Sequence, residues 1–249
     1  MTGGGAGTRQ RLNRFLASRG VASRRGADTL IAAGRVGVNE SAGIPGTIVD
    51  PAVDRITVDG RPVPDPLPRR TLMLNKPPGV LTTRHDPQGR PTVLELVDDP
   101  SGLFPVGRLD ADSGGLLLLT TDGELAFRLA HPRHGVTKQY RVTVAGHVPT
   151  GALARIAAGV ELDDGPARAL AARVARRSGG RETVEVTMAE GRKREVRRLF
   201  AAVGLEVVDL VRVAFGPLRL GRLAAGGVRR LTREEEAAVY ASVGLPGPS

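Results

Sequence analysis

The chain has no cysteine and no tryptophan, and its aromatic residues are confined to two Tyr and five Phe in 249. Without cysteine there can be no disulfide, thiolate zinc site, iron–sulfur cluster or cysteine nucleophile. So few rings give little support to rows of stacked aromatics of the kind that hold single-stranded nucleic acid. Lysine is scarce as well: Lys76, Lys138 and Lys193 are the only three of 36 basic residues, so the rest are arginine. No apolar run approaches the roughly 18–20 residues that cross a bilayer, and the glycine-rich start lacks the apolar centre of a signal peptide. The expectation is a cytoplasmic protein with no membrane partner. Also absent are a GxxxxGKS/T loop for nucleotide phosphates, a strand followed by GxGxxG, and an HExxH pair. His85, His131, His134 and His147 are scattered, so we expect neither a metal nor a small-molecule cofactor.

What is present is 41% hydrophobic and 25% charged residues, enough for one large or two smaller cores, and a formal net charge of +10. The charge is concentrated. Between Arg9 and Asn39 seven arginines face one acid, Asp28, and between Met188 and Arg233 eleven basic residues face four acids. A polyanionic partner is the natural reading, held at two places and by arginine.

Along the chain, Leu12, Phe15 and Leu16 share one helical face, with Thr8 before it, Gly20 after it, and Arg11 and Arg14 on the opposite side. Ser23 suits an N-cap, Leu30 and Ile31 supply the next apolar face, and Gly34 closes that helix before the alternating Val36 and Val38. A strand over Arg55–Val58 follows, then four prolines between Arg61 and Arg70, which read as an extended linker. Beyond it, Thr71–Leu74 runs into Asn75-Lys76-Pro77-Pro78-Gly79, a turn. Residues 116–121, LLLLTT, lie between Gly114-Gly115 and Asp122-Gly123 and read as a buried strand, with a helix over Glu124–Ala130. Strands are expected at Tyr140–Val144 and Arg181–Met188, and a helix at Arg194–Val203. This order predicts an α+β fold rather than βαβ repeats.

The stretch richest in chemistry is Pro105–Gly115, PVGRLDADSGG, a polar loop feeding directly into the buried strand. From spacing alone Asp110 and Asp112 can be either turn formers or carboxylates that act as nucleophile or base.

Two resemblances add to this. RLNRFLASRGVASRRGADTLIAAGRVGVN with the later ITVDG resembles the S4 RNA-binding domain. GRLDADSGGLLLLTTDGELAFRLAHP, then TKQYRVTVAG, then EGRKREVRRLFAAVG, resembles the RsuA/RluB family of ribosomal RNA pseudouridine synthases. The likeness runs from about residue 9 to 235. It implies an S4 helix-pair and strand domain over 9–68. A catalytic domain would follow over 69–240, built on a mainly antiparallel mixed β-sheet with flanking helices. Unstructured ends are expected at 1–8 and 241–249. It further implies that Asp110 is the nucleophile, that Tyr140 lies against the uracil, and that Arg197, or Arg194 if the alignment slips, pairs with the Asp110 carboxylate. Arg108 would fill the gap left by a flipped base. Arg11, Arg14, Arg24 and Arg25 would face structured RNA, and Lys76, Lys138, Arg192, Lys193 and Arg194 would contact its backbone. The implied partner is ribosomal RNA, 23S in preference to 16S, free or in an assembly intermediate, acted on by a monomer. The alternatives left open are a small-subunit synthase and a non-catalytic S4-type ribosome-assembly factor.

Overall fold

The computed structural model describes residues 9–247. The chain divides into two compact units, one ending at Arg69 and the other beginning at Arg70. The expectations for Thr8 and for an unstructured start over 1–8 lie outside the described residues.

In the first unit, helices Leu12–Ser18 and Arg24–Ala32 pack on a four-stranded antiparallel sheet ordered Ser41–Ala42, Val36–Val38, Ile56–Val58, Arg61–Pro62. Leu12, Phe15 and Leu16 meet Ala27, Ile31, Val36, Val49 and Ile56 in a core of their own. The second helix starts where Ser23 accepts a hydrogen bond from the Gly26 amide at 3.0 Å, satisfying one donor the first turn leaves open. The apolar residues of both helices face inward, so Arg11, Arg14, Arg24 and Arg25 are left exposed. The proline-rich stretch begins as an edge strand, where proline is tolerated because no partner needs its missing amide.

The second unit is built on one mixed sheet. Its main path runs Ala171–Ser178, Arg181–Met188, Lys138–Ala145, Val207–Phe215, Gly114–Thr120, Thr71–Lys76, Val228–Arg230. Every pairing is antiparallel except that of Val207–Phe215 with Gly114–Thr120, which is parallel over two residue pairs. Gly114–Thr120 is buried at every position, as its unbroken leucine run requires of a strand covered on both faces. Alternation then sorts the leucines. Leu117 and Leu119 join Tyr140, Val142, Val186, Ile156 and Leu199 on one face, and Leu116 and Leu118 join Phe215, Leu125, Leu129 and Val239 on the other. Helices Ala152–Ala158 and Glu195–Ala201 contribute to the first core, and Gly123–Ala130 and Arg233–Ala241 to the second. The fold is α+β, as expected.

The unstructured tail expected from 241 is corrected by the structure as far as 247. Val243 is buried and Leu245 packs on the second core, while Arg128 Nη1 donates to the carbonyls of Val243 at 3.0 Å and Gly244 at 3.2 Å. The Arg194–Val203 helix is shorter, Glu195–Ala201. Among the described residues no helix is long and apolar enough to cross a membrane.

Candidate active site

The Gly107–Ser113 loop leaves the short strand Phe104–Val106 and enters the central strand at Gly114. Three sets of hydrogen bonds pin it. The Ser113 amide closes a turn onto the Asp110 carbonyl at 3.1 Å, and the Gly79 amide donates to the Ala111 carbonyl at 2.7 Å. The Thr82 hydroxyl donates to the Leu109 carbonyl at 2.8 Å. From below, the fully buried Lys76 directs its ammonium at the carbonyls of Ser113 (2.7 Å), Pro77 (3.0 Å) and Ala111 (3.3 Å). Burial lowers the Lys76 pKa from 10.5 to about 8, and the charges of Asp112 and Asp110 work against that shift.

Above the loop is a cavity of about 240 Å³ lined by Arg108, Asp110, Ser113 and Tyr140, by the segment Glu190 to Val196, and by Leu210. Tyr140 is only 7% exposed, on the same side of the Lys138–Ala145 strand as Val142 and Val144. Asp110 is half-buried, and among the described residues no side chain hydrogen bonds or ion-pairs with its carboxylate. Arg108 and Lys193 are exposed at the rim. A carboxylate with its lone pairs uncommitted therefore shares a small cavity with a phenol, under a rim of cations.

The structure brings Asp110, Tyr140, Arg108, Arg192, Lys193 and Arg194 to this cavity and corrects several expected partnerships. Arg197 does not pair with Asp110. Its Nε lies 3.3 Å from the Asp112 carboxylate, its Nη2 donates to the Asp112 carbonyl at 3.0 Å, and its Nη1 donates to the Val207 carbonyl at 3.0 Å. Arg194, in the left-handed region at φ 51°, places Nη2 3.1 Å from the same Asp112 carboxylate. Partial burial opposes the charge on Asp112, but the hydrogen bond from Arg194 and the fields of Arg197 and Arg194 outweigh it and hold its pKa below the ordinary value. The two arginines thus fasten the loop at Asp112 and leave Asp110 open to the cavity.

The expected RNA contacts of Lys76 and Lys138 are also corrected. Lys76 spends its donors on backbone carbonyls and has no exposed surface. Lys138 is 6% exposed with its ammonium 5.8 Å from the centre of the Phe215 ring. Burial first, and then the charge of Arg212, lowers its pKa. Arg192 lines the cavity, but its guanidinium is committed to Glu195, to Asp164 and to the carbonyls of Gly165 and Pro166. Three features of the site were not legible in the sequence: Thr82 as a brace, Asp112 as the arginines' partner, and Arg212. That last arginine is buried, donates from Nε to the Leu116 carbonyl at 2.7 Å, and lies over Phe215 at 4.9 Å. No spacing signal marks any of the three, because each acts across segments distant in sequence.

Comparison with known proteins completes the description. A family model described as RNA pseudouridylate synthase matches residues 70–202. An uncharacterised RNA pseudouridine synthase of Aquifex aeolicus (strain VF5) is 46% identical over 238 residues, covering 94% of this chain and 95% of its own length. A ribosomal large subunit pseudouridine synthase B of Pasteurella multocida (strain Pm70) is 40% identical over 245 residues, covering 95% of this chain and 71% of its own. A crystal structure of a pseudouridylate synthase superposes with a TM-score of 0.66 at 32% identity, over 92% of this chain and 99% of that one.

Proposed function

Since the chain belongs to the RNA pseudouridylate synthase family, whose members are isomerases, we propose that it converts a particular uridine of large-subunit ribosomal RNA to pseudouridine. The observation that carries this reading is the cavity shared by the uncommitted Asp110 carboxylate and Tyr140. The large-subunit assignment draws on the relatives named ribosomal large subunit pseudouridine synthase B, at 39–42% identity.

The reaction breaks the bond from ribose C1′ to uracil N1 and forms one from C1′ to C5; a proton leaves C5 and N1 gains one. The base must first leave its stack, at a cost of a few kcal/mol. In this reading Arg108, exposed at the rim, occupies the space the base vacates, where a planar cation can both stack and bond phosphate. Asp110 attacks as a carboxylate nucleophile and is released again when the C1′–C5 bond forms, and the Tyr140 ring lies against the uracil, on the side from which the C5 proton leaves. Arg197 and Arg194 act through Asp112, holding the loop so that Asp110 meets the base in one geometry. The first unit, with its S4-like sequence and exposed Arg11, Arg14, Arg24 and Arg25, supplies a second RNA contact.

Tritium release from ribosomal RNA labelled at uracil C5 tests the reading, since the new bond expels that hydrogen. Wild type should release tritium and Asp110→Asn should not, with RNA affinity within about three-fold because phosphate contacts dominate binding. Binding lost together with activity would make Asp110 structural, and no release from wild type on naked or ribosome-assembled RNA would refute the proposal.

A further inference from the structure

Behind the Asp110 loop lies a second cavity, of about 380 Å³, whose wall includes Thr82, Thr83, His85, Asp86 and Arg90. It shares Arg108, Leu109 and Asp110 with the first, so these residues form the partition between the two. We propose that this second cavity is a nucleotide-binding site. It would receive a nucleotide flanking the target uridine in the same RNA strand, on the far side of Arg108. The inference rests on the pseudouridine synthase reading for the identity of the strand.

The wall is preformed. The Asp86 carboxylate accepts from the amides of Gln88 and Arg90 and from Nε and Nη2 of Arg90, at 2.8–3.2 Å, which closes the loop on itself. Thr82 ties the same segment to both the carbonyl and the amide of Leu109. A backbone bridge joins Leu81 to Thr92. Little order therefore has to be imposed when a ligand enters.

The chemistry left over is that of a donor surface. Asp86, the wall's one acid besides Asp110, is fully occupied by its four donors. Among the described residues, Arg90 Nη1, the Arg108 guanidinium and the His85 ring have no hydrogen-bond partner. Cationic N–H groups beside an imidazole face suit a phosphate and its base. Drawing the target uridine off the stack moves its neighbour toward the protein, and the partition geometry gives that neighbour a place across Arg108.

Two substitutions test the site. Because the chain has no tryptophan, His85→Trp places a unique fluorophore in the wall. Its emission should fall when 23S ribosomal RNA is bound, as a base stacks on the indole. Thr83→Trp fills the cavity and should lower kcat/KM for tritium release about ten-fold, the loss expected for one stacked base. Unchanged His85→Trp emission at RNA saturation, or a Thr83→Trp kcat/KM within about two-fold of wild type, would overturn the proposal. Should wild type itself release no tritium, the synthase reading fails, and the emission of His85→Trp alone decides whether the cavity takes a nucleotide.

Discussion

Lys76 shows how a single side chain can matter without meeting substrate. Its ammonium binds the carbonyls on either side of Asp112 from beneath, so its proton is part of the loop's architecture. Because its pKa in the folded protein, about 8, lies below the free value of 10.5, the penalty for burying the charge is fully present below pH 8. That penalty is relieved as pH rises toward 10.5, while one of the three carbonyl contacts loses its donor. Turnover should therefore fall along an alkaline limb centred near pH 8, and Lys76→Arg, which cannot deprotonate in this range, should lose that limb even if its maximal rate is lower. A pH–rate profile of both proteins that kept identical limbs would remove Lys76 from the account.

At the level of elements, the central strand Gly114–Thr120 joins the loop to the core. Its parallel pairing with Val207–Phe215 spans only Gly114 and Gly115 opposite Val211 and Arg212. Gly115 has φ +104°, and a Cβ there would stand 2.3 Å from the Arg212 carbonyl oxygen and 2.6 Å from its nitrogen. Those are backbone atoms that no rotamer change can move. Gly115→Ala should destabilise the fold by about 3 kcal/mol or more, combining the strained conformation with the overlap. Urea unfolding would measure it; a midpoint equal to wild type would show that the two strands can part without harm.

Over the whole molecule, the two units divide the charge between a helix-pair surface and the cavity rim. Each unit has its own core, so changes to exposed arginines of the first should leave the second folded. Replacing Arg11, Arg24 and Arg25 together by alanine should weaken RNA binding and reduce the slope of log affinity against log salt by about 2–3, one counterion per lost phosphate contact. Turnover at saturating RNA should be unchanged. A salt slope equal to wild type, measured by filter binding across a salt series, would place the RNA elsewhere.

Elements with local causes can be read directly from the chain. The helix faces of Leu12, Phe15 and Leu16, the Ser23 cap and the leucine strand all follow from periodicity and from groups within a few residues of one another. The composition of the Asp110 loop marked it as the place for chemistry, and the family resemblance attached Tyr140 to it; both line one cavity. Which charges are available, by contrast, is a property of the folded chain. Lys76 and Lys138 look like surface cations in the sequence, but Lys76 faces Gly115 across the sheet and Lys138 lies between two strands, opposite Met188 and Phe215. Arg197 reaches Asp112 rather than Asp110 because its helix sets the position and direction of the side chain against a loop more than eighty residues away in the chain. Burial and partnership depend on which strands become neighbours, and that is settled by the packing of two cores on one sheet rather than by any residue's own surroundings in the chain.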